Sequence, residues 1–153
     1  MALADKGKSM LSDNFFDEIG GYPCLRRVHT LLYTKLFNHP WLKGFFAHTK
    51  REVVESQQTD FWASLMGGPK IYGGRSPRDA HVHMFLPGEV FAVRHELLAE
   101  TLVEAGVAPL LREKWLALDA QFERAIVNKS LDECHGRYRT EAVIIVPRPA
   151  DGQ

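Results

Sequence analysis

Two histidines one residue apart, His81 and His83, stand at the end of the least regular stretch of this 153-residue chain. A neutral imidazole offers one ring nitrogen as a lone-pair donor, so a single well-placed histidine can ligate a metal. Gln58 and Tyr33 are two further residues whose chemistry sits oddly with their place in the pattern. Gln58 falls one turn after Val54 and beside Phe61, on a helix face that ought to be apolar. A buried amide left unsatisfied costs on the order of 1–3 kcal/mol, so either Gln58 lies at the wet edge of that face or something polar meets it. Tyr33 shares a face with His29 and Phe37, which buries its ring and leaves its hydroxyl in need of a partner, either a backbone carbonyl or a ligand. Together His81, Tyr33 and Gln58 describe a cavity with a metal ligand on one wall and hydrogen-bond donors on the other. His29, His39, His48 and His135 read as surface or turn residues, and Arg94-His95 as a helical pair of which one member turns inward. The sequence has no Ser/His/Asp motif, no phosphate-binding loop and no zinc spacing.

The element that must carry His81 begins in a long irregular arm. Gly67-Gly68-Pro69 ends any helix before it, a second glycine pair follows at Gly73-Gly74, and Ser76-Pro77 suits a new helix with Ser as N-cap and Pro at the first helical position. Leu86-Pro87-Gly88 stops that helix after about two turns. Residues i and i+2 of a helix point to different faces, so one histidine of the pair is expected inside. An arm of this length usually has a task. Upstream, Ser12 caps a short helix through Ile19, and Pro23 opens a longer one whose Leu25, Val28, Leu32 and Leu36 recur at helical spacing until His39-Pro40 closes it. Trp41, Leu42, Phe45 and Phe46 crowd the following corner, and Thr49-x-x-Glu52 reads as a capping box for the helix that runs to Gly67. Downstream, Pro87-Gly88-Glu89 begins a helix through Ala105 with Gly106 placed to terminate it, and Pro109 opens a last helix striped by Leu111, Trp115, Leu118, Phe122, Ala125 and Ile126. The body is therefore all-α, with four substantial helices and two short ones.

The totals fit one domain: 45% hydrophobic and 25% charged residues, with 19 basic side chains balanced by 19 acidic ones. That balance gives no electrostatic case for nucleic acid or an anionic membrane as partner. No apolar run approaches the ~20 residues that cross a bilayer, and no apolar stretch follows the first lysines, so a cytoplasmic protein with free Cys24 and Cys134 is expected. From Lys129 the helical pattern fails, and the β-branched run Ala142-Val143-Ile144-Ile145-Val146 must find a partner, dock in a groove or stay flexible. The boundaries expected are an N-terminal extension over 1–13, a helical domain over 14–128 and a C-terminal extension over 129–153.

The order Ile19-Gly20-Gly21, Tyr33, Phe45-Phe46, Gln58, Phe61-Trp62, Leu65-Met66-Gly67-Gly68-Pro69, Tyr72, Gly74-Arg75 and Ala80-His81 resembles the truncated haemoglobins, and the arm resembles that of their first group. The resemblance runs from about Asn14 to about Val127. It implies a two-over-two helical sandwich around haem b, with His81 as the proximal iron ligand. It further implies Tyr33 and Gln58 as distal donors, an apolar Val54 where a distal histidine often stands, and Phe45, Phe46, Phe61, Trp62, Tyr72 and Arg75 along the cofactor. Two donors beside a bound gas imply slow O₂ release, which suits oxygen binding or nitric oxide dioxygenation with a separate reductase better than bulk oxygen transport. NO and CO are the other gases implied. A gas sensor or carrier, a six-coordinate electron-transfer globin using His48 or His95, and a globin without haem are the competing readings. The sequence departs from the family at His83, a rival ligand, and at Arg94-His95. The last helix also lacks a histidine for a covalent haem link. The extension after Lys129 has no counterpart in the resemblance and is expected to be dispensable for haem binding, in a monomer or weak homodimer.

Overall fold

The computed structural model describes residues 14–150, so the expected cap at Ser12 and the 1–13 extension lie outside the described residues. The helices are α1 (Phe15–Glu18), α2 (Gly21–Asn38), α3 (Arg51–Leu65), α4 (Pro77–His81), α5 (Gly88–Glu104), α6 (Pro109–Ala120) and α7 (Glu123–Ile126), with 3₁₀ turns at Leu42–Phe46 and Leu131–Glu133. α2 packs against α3 and α5, and α5 against α6, which makes two layers of two long helices. Among the described residues no strand forms; a lone parallel bridge joins Met84 to Ile144.

The apolar stripes become the core, in which Phe15, Leu25, Leu36, Met66, Leu102 and Trp115 are fully buried. Each such side chain contributes about 1.5–3 kcal/mol relative to exposure, enough in sum to decide which helix faces turn inward. α1 is fastened to the end of α3: the Phe16 N–H donates to the Met66 carbonyl at 2.9 Å, and Gly68 lies so close to the Phe16 ring that a Cβ there would sit 2.6 Å from it. Gly67, at φ +91°, turns the chain out of α3 in the left-handed conformation a side chain would resist. That junction aims the arm toward α4. Gly106, at φ +80°, ends α5 where the sequence placed it.

Several local expectations are corrected. α2 starts at Gly21, so Pro23 lies inside its first turn. The capping box does not form: α3 begins at Arg51 with Lys50 as N-cap and no side-chain cap bond, because the Thr49 N–H is held by the Phe46 carbonyl in the preceding turn. α4 is five residues long, little more than one turn. The last helix breaks after Ala120 and resumes as α7, so Phe122, Ala125 and Ile126 do not extend α6. Cys24 and Cys134 are free thiols.

The C-terminal extension docks on the domain. Its Ile144 N–H donates to the His83 carbonyl at 2.8 Å and its carbonyl accepts from the Phe85 N–H at 2.9 Å, which is the partner its β-branched run required.

Candidate functional site

The two layers enclose a cavity of ≈ 290 Å³ to which every long helix, the arm and the extension contribute. α4 delivers His81 to it. Ser76 Oγ accepts the Asp79 N–H at 3.2 Å and Pro77 occupies the first helical position, so the start expected from Ser-Pro is the one formed. His81 Nδ1 lies 2.6 Å from the Pro77 carbonyl, a contact that requires the proton on Nδ1 and leaves Nε2 as a free lone pair. Burial lowers the His81 pKa, the Pro77 bond opposes that, and the charges of Arg94 and Arg137 reinforce it. Both the contact and the lowered pKa favour the neutral ring, the form in which Nε2 is able to ligate a metal.

His83 lines the same cavity, contrary to the expectation that one histidine of the pair would turn away. The regular helix ends at His81 and gives way to a turn through Val82 and His83, closed by the Met84 N–H on the His81 carbonyl at 2.9 Å, so ideal helical spacing no longer sets the direction of the second ring. His83 is 5% exposed, its Nδ1 has no hydrogen-bond partner, and burial pulls its pKa down to about 4.

The facing wall is supplied by α2 and α3. Tyr33 is 7% exposed, and its ring meets Phe46 edge-on at 5.9 Å while Phe46 stacks on Phe37 at 4.7 Å. Burial pushes the Tyr33 pKa far up, so its hydroxyl stays a neutral donor. Val54, Gln58 and Phe61, all half-buried, lie along the cavity side of α3, and Trp62 behind them is buried against Trp115. Phe45 is buried in the 3₁₀ corner and also reaches the cavity. At the opening, the Tyr72 ring meets Phe61 edge-on at 5.2 Å and its hydroxyl donates to the Arg75 carbonyl at 2.6 Å. Arg75 is exposed there. The structure thus gathers all the residues expected around the cofactor, Tyr33, Phe45, Phe46, Val54, Gln58, Phe61, Trp62, Tyr72, Arg75 and His81, onto one cavity.

Sequence reasoning missed three groups. Asp119, 3% exposed, accepts hydrogen bonds from Arg94 and from His95 Nδ1 at 2.7 Å, and Arg94 and Asp119 both border the cavity. Burial alone would raise the Asp119 pKa, but the Arg94 charge and the two bonds hold it below the usual range. The clue was its spacing from Trp115 and Phe122, which puts a carboxylate on an apolar face. Arg137 reaches the cavity from the extension, where no periodicity could place it. His29, read as a surface residue, is 3% exposed, and its Nδ1 meets Thr59 Oγ1 at 2.9 Å across the seam between α2 and α3.

A two-over-two helical sandwich whose cavity is lined by histidine, tyrosine and glutamine side chains has the architecture of a small globin. The model of the bacterial-like globin family matches residues 14–128, and the chain belongs to that family, as a truncated haemoglobin similar to those of group 1. It is 36% identical over 93 residues to a group 1 truncated hemoglobin of Tetrahymena thermophila, a match spanning 61% of this chain and 77% of that one. A group 1 truncated hemoglobin GlbN of Mycolicibacterium paratuberculosis is 30% identical over 94 residues, covering 61% and 69% of the two chains. The crystal structure of the Tetrahymena pyriformis truncated hemoglobin in its Fe(III) form superposes with a TM-score of 0.70 at 30% identity, covering 75% of this chain and 98% of that one. Proteins of this family bind haem.

Proposed function

We propose that this globin holds haem b through His81, binds diatomic gases in the cavity, and serves O₂ binding or nitric oxide dioxygenation with a reductase as partner. The observation that carries the reading is the Nδ1 contact of His81 with the Pro77 carbonyl, which leaves Nε2 unprotonated on the same cavity that Tyr33 and Gln58 border. The residues fit the cofactor: the neutral imidazole of His81 with Nε2 unprotonated, aromatic walls for a flat ring, and Arg75 and Arg137 at the rim to meet carboxylates. Neither α6 nor α7 carries a histidine, which favours haem held without a covalent link from that region.

When bound, haem supplies gas coordination and one-electron chemistry; the protein sets ligation, polarity and access. Tyr33 would donate a hydrogen bond to a polarised gas held in the cavity, and Gln58 would either donate to the same gas or orient the hydroxyl. Phe45, Phe61 and Trp62 keep bulk water from that pair. A charge-assisted bond of ~1.5–3 kcal/mol slows release by ~10- to 150-fold, which suits capture followed by reaction better than transport. The same reading places the protein in the cytoplasm, with the reductase as the partner that would supply electrons. His83 favours a second reading, a ligand role of its own beside His81, because its Nδ1 is buried without a partner. His95 is engaged by Asp119 and His48 is exposed, which weakens both as sixth ligands. Visible spectra of the ferric and ferrous–CO forms test the haem assignment, and nitrate formation after mixing NO with the aerobic ferrous protein tests the dioxygenase role. A featureless visible spectrum after haem addition defeats the first, and no nitrate above buffer defeats the second.

A further inference from the structure

The family match ends at residue 128, and the Tetrahymena pyriformis structure is covered almost end to end by only 75% of this chain. The residues beyond that point nevertheless hold the segment that follows His81. The His135 N–H donates to the Val82 carbonyl at 3.0 Å, and Ile144 exchanges two bonds with His83 and Phe85. Further along, the Val146 carbonyl accepts the Trp41 indole N–H at 3.1 Å, and Val146 lies against Gly44 so closely that a Cβ there would meet its methyl at 2.7 Å. Arg148 pairs with Glu89 and lies over the Trp41 ring.

The extension also changes the rim of the cavity. Arg137 and Arg75 border one recess together, with Tyr138 beside both: Arg75 donates to its hydroxyl, and the two guanidinium carbons lie 5.0 and 5.9 Å from its ring centre. Glu141 takes the Nε and Nη2 edge of Arg137, which fixes the guanidinium and leaves its other amino group available. Two guanidiniums against one carboxylate leave the rim cationic.

We propose that the C-terminal extension is part of the cofactor site: it straps the segment after His81, and it places Arg137 beside Arg75 to receive an anionic carboxylate of the cofactor. The proposal rests on the haem reading above and replaces the expectation that the chain after Lys129 is dispensable. Two roles follow, and they separate experimentally. Arg137 binds the cofactor directly. Ile144 and Val146 act through the backbone on His81 and are positioning residues.

The test uses the full chain with haem bound and three variants: Arg137→Gln, Gly44→Ala, and Gly44→Ala with Val146→Ala. Gly44→Ala pushes the strap off its seat, and the added Val146→Ala restores the room. Haem transfer to an excess of apomyoglobin gives the release rate, and resonance Raman of the ferrous gas-free form gives the iron–histidine stretch. Arg137→Gln is expected to release haem roughly ten-fold faster with that stretch unmoved. Gly44→Ala is expected to shift the stretch and speed release, with the double variant returning both toward wild type. Variants that match wild type in rate and stretch overturn the proposal while leaving the haem reading intact. A loss in Gly44→Ala that the double variant fails to relieve overturns the strap. A full chain that takes up no haem overturns both.

Discussion

The cavity has two walls built on different principles. The distal wall, Tyr33, Val54, Gln58 and Phe61, comes from the two long helices α2 and α3, so helical spacing alone sets which side chains face inward. The proximal wall, His81, His83, Met84 and Leu86, begins at the last residue of a five-residue helix and is held by bonds to chain far away in sequence. Asn128 is the densest of these ties: its Oδ1 accepts the Leu86 N–H at 2.8 Å, its Nδ2 donates to the Met84 carbonyl at 3.0 Å, and its own N–H donates to the Leu86 carbonyl. A helical wall tolerates a changed side chain without losing its shape, whereas a tied segment loses shape when a tie is cut. Distal substitutions should therefore alter gas kinetics, and proximal ones should alter cofactor retention and stability.

The largest expected effect is proximal. His81→Ala should abolish tight haem retention or leave a grossly altered Soret spectrum, while His83→Ala should keep a normal one. The reverse outcome would assign the iron to His83 and break the contrast at its centre. Next comes Asn128→Ala, which orphans the buried Leu86 N–H and leaves the Met84 carbonyl only the weak Cys134 thiol donor at 3.5 Å. A loss of ~2–4 kcal/mol in denaturant unfolding is expected, with faster haem release and unchanged O₂ kinetics in the fraction that retains haem.

On the distal side, Tyr33→Phe should speed O₂ release by roughly ten- to a hundred-fold, or ~1.4–2.8 kcal/mol, and CO release much less, because bound CO is less polar. Gln58→Leu should do less alone, and the double variant should fall short of the product of the two, since both donors act on one ligand. Stopped-flow release rates decide it; an unchanged O₂ rate in Tyr33→Phe would leave the tyrosine a core residue only. The effect that is smallest near neutral pH is a pH slope in the seam between α2 and α3. Burial lowers the His29 pKa to about 3, so the unfolded chain binds a proton below pH 6.5 that the folded one refuses. Stability should fall by about 1.4 kcal/mol per pH unit as pH drops from that value toward about 3. His29→Gln keeps a polar partner for Thr59 without titrating, and its unfolding free energy should lack that share of the slope.

What could be read without the structure was what short stretches of chain decide for themselves. Ser76-Pro77 starts a helix because a hydroxyl cap and a preset φ act within four residues, and Gly106 ends one because its left-handed turn is local. Periodicity brought Tyr33 inward, and the order of residues from Ile19 to His81 carried the family and the fold and singled out His81 as the candidate ligand. Thr49 shows where local rules stop: its motif is intact, but its N–H already belongs to the preceding turn. His29 was placed at the surface because an imidazole alone prefers water, and only Thr59 from another helix makes its burial tolerable. Asp119 depends in the same way on Arg94 and His95, and Arg137 on a docked extension with no periodic signal. The Ser76-Pro77 start, the Gly106 stop and the apolar stripes were thus settled by interactions a few residues long. The fate of buried polar groups was settled by tertiary structure, because the partner that offsets their desolvation comes from a distant part of the chain.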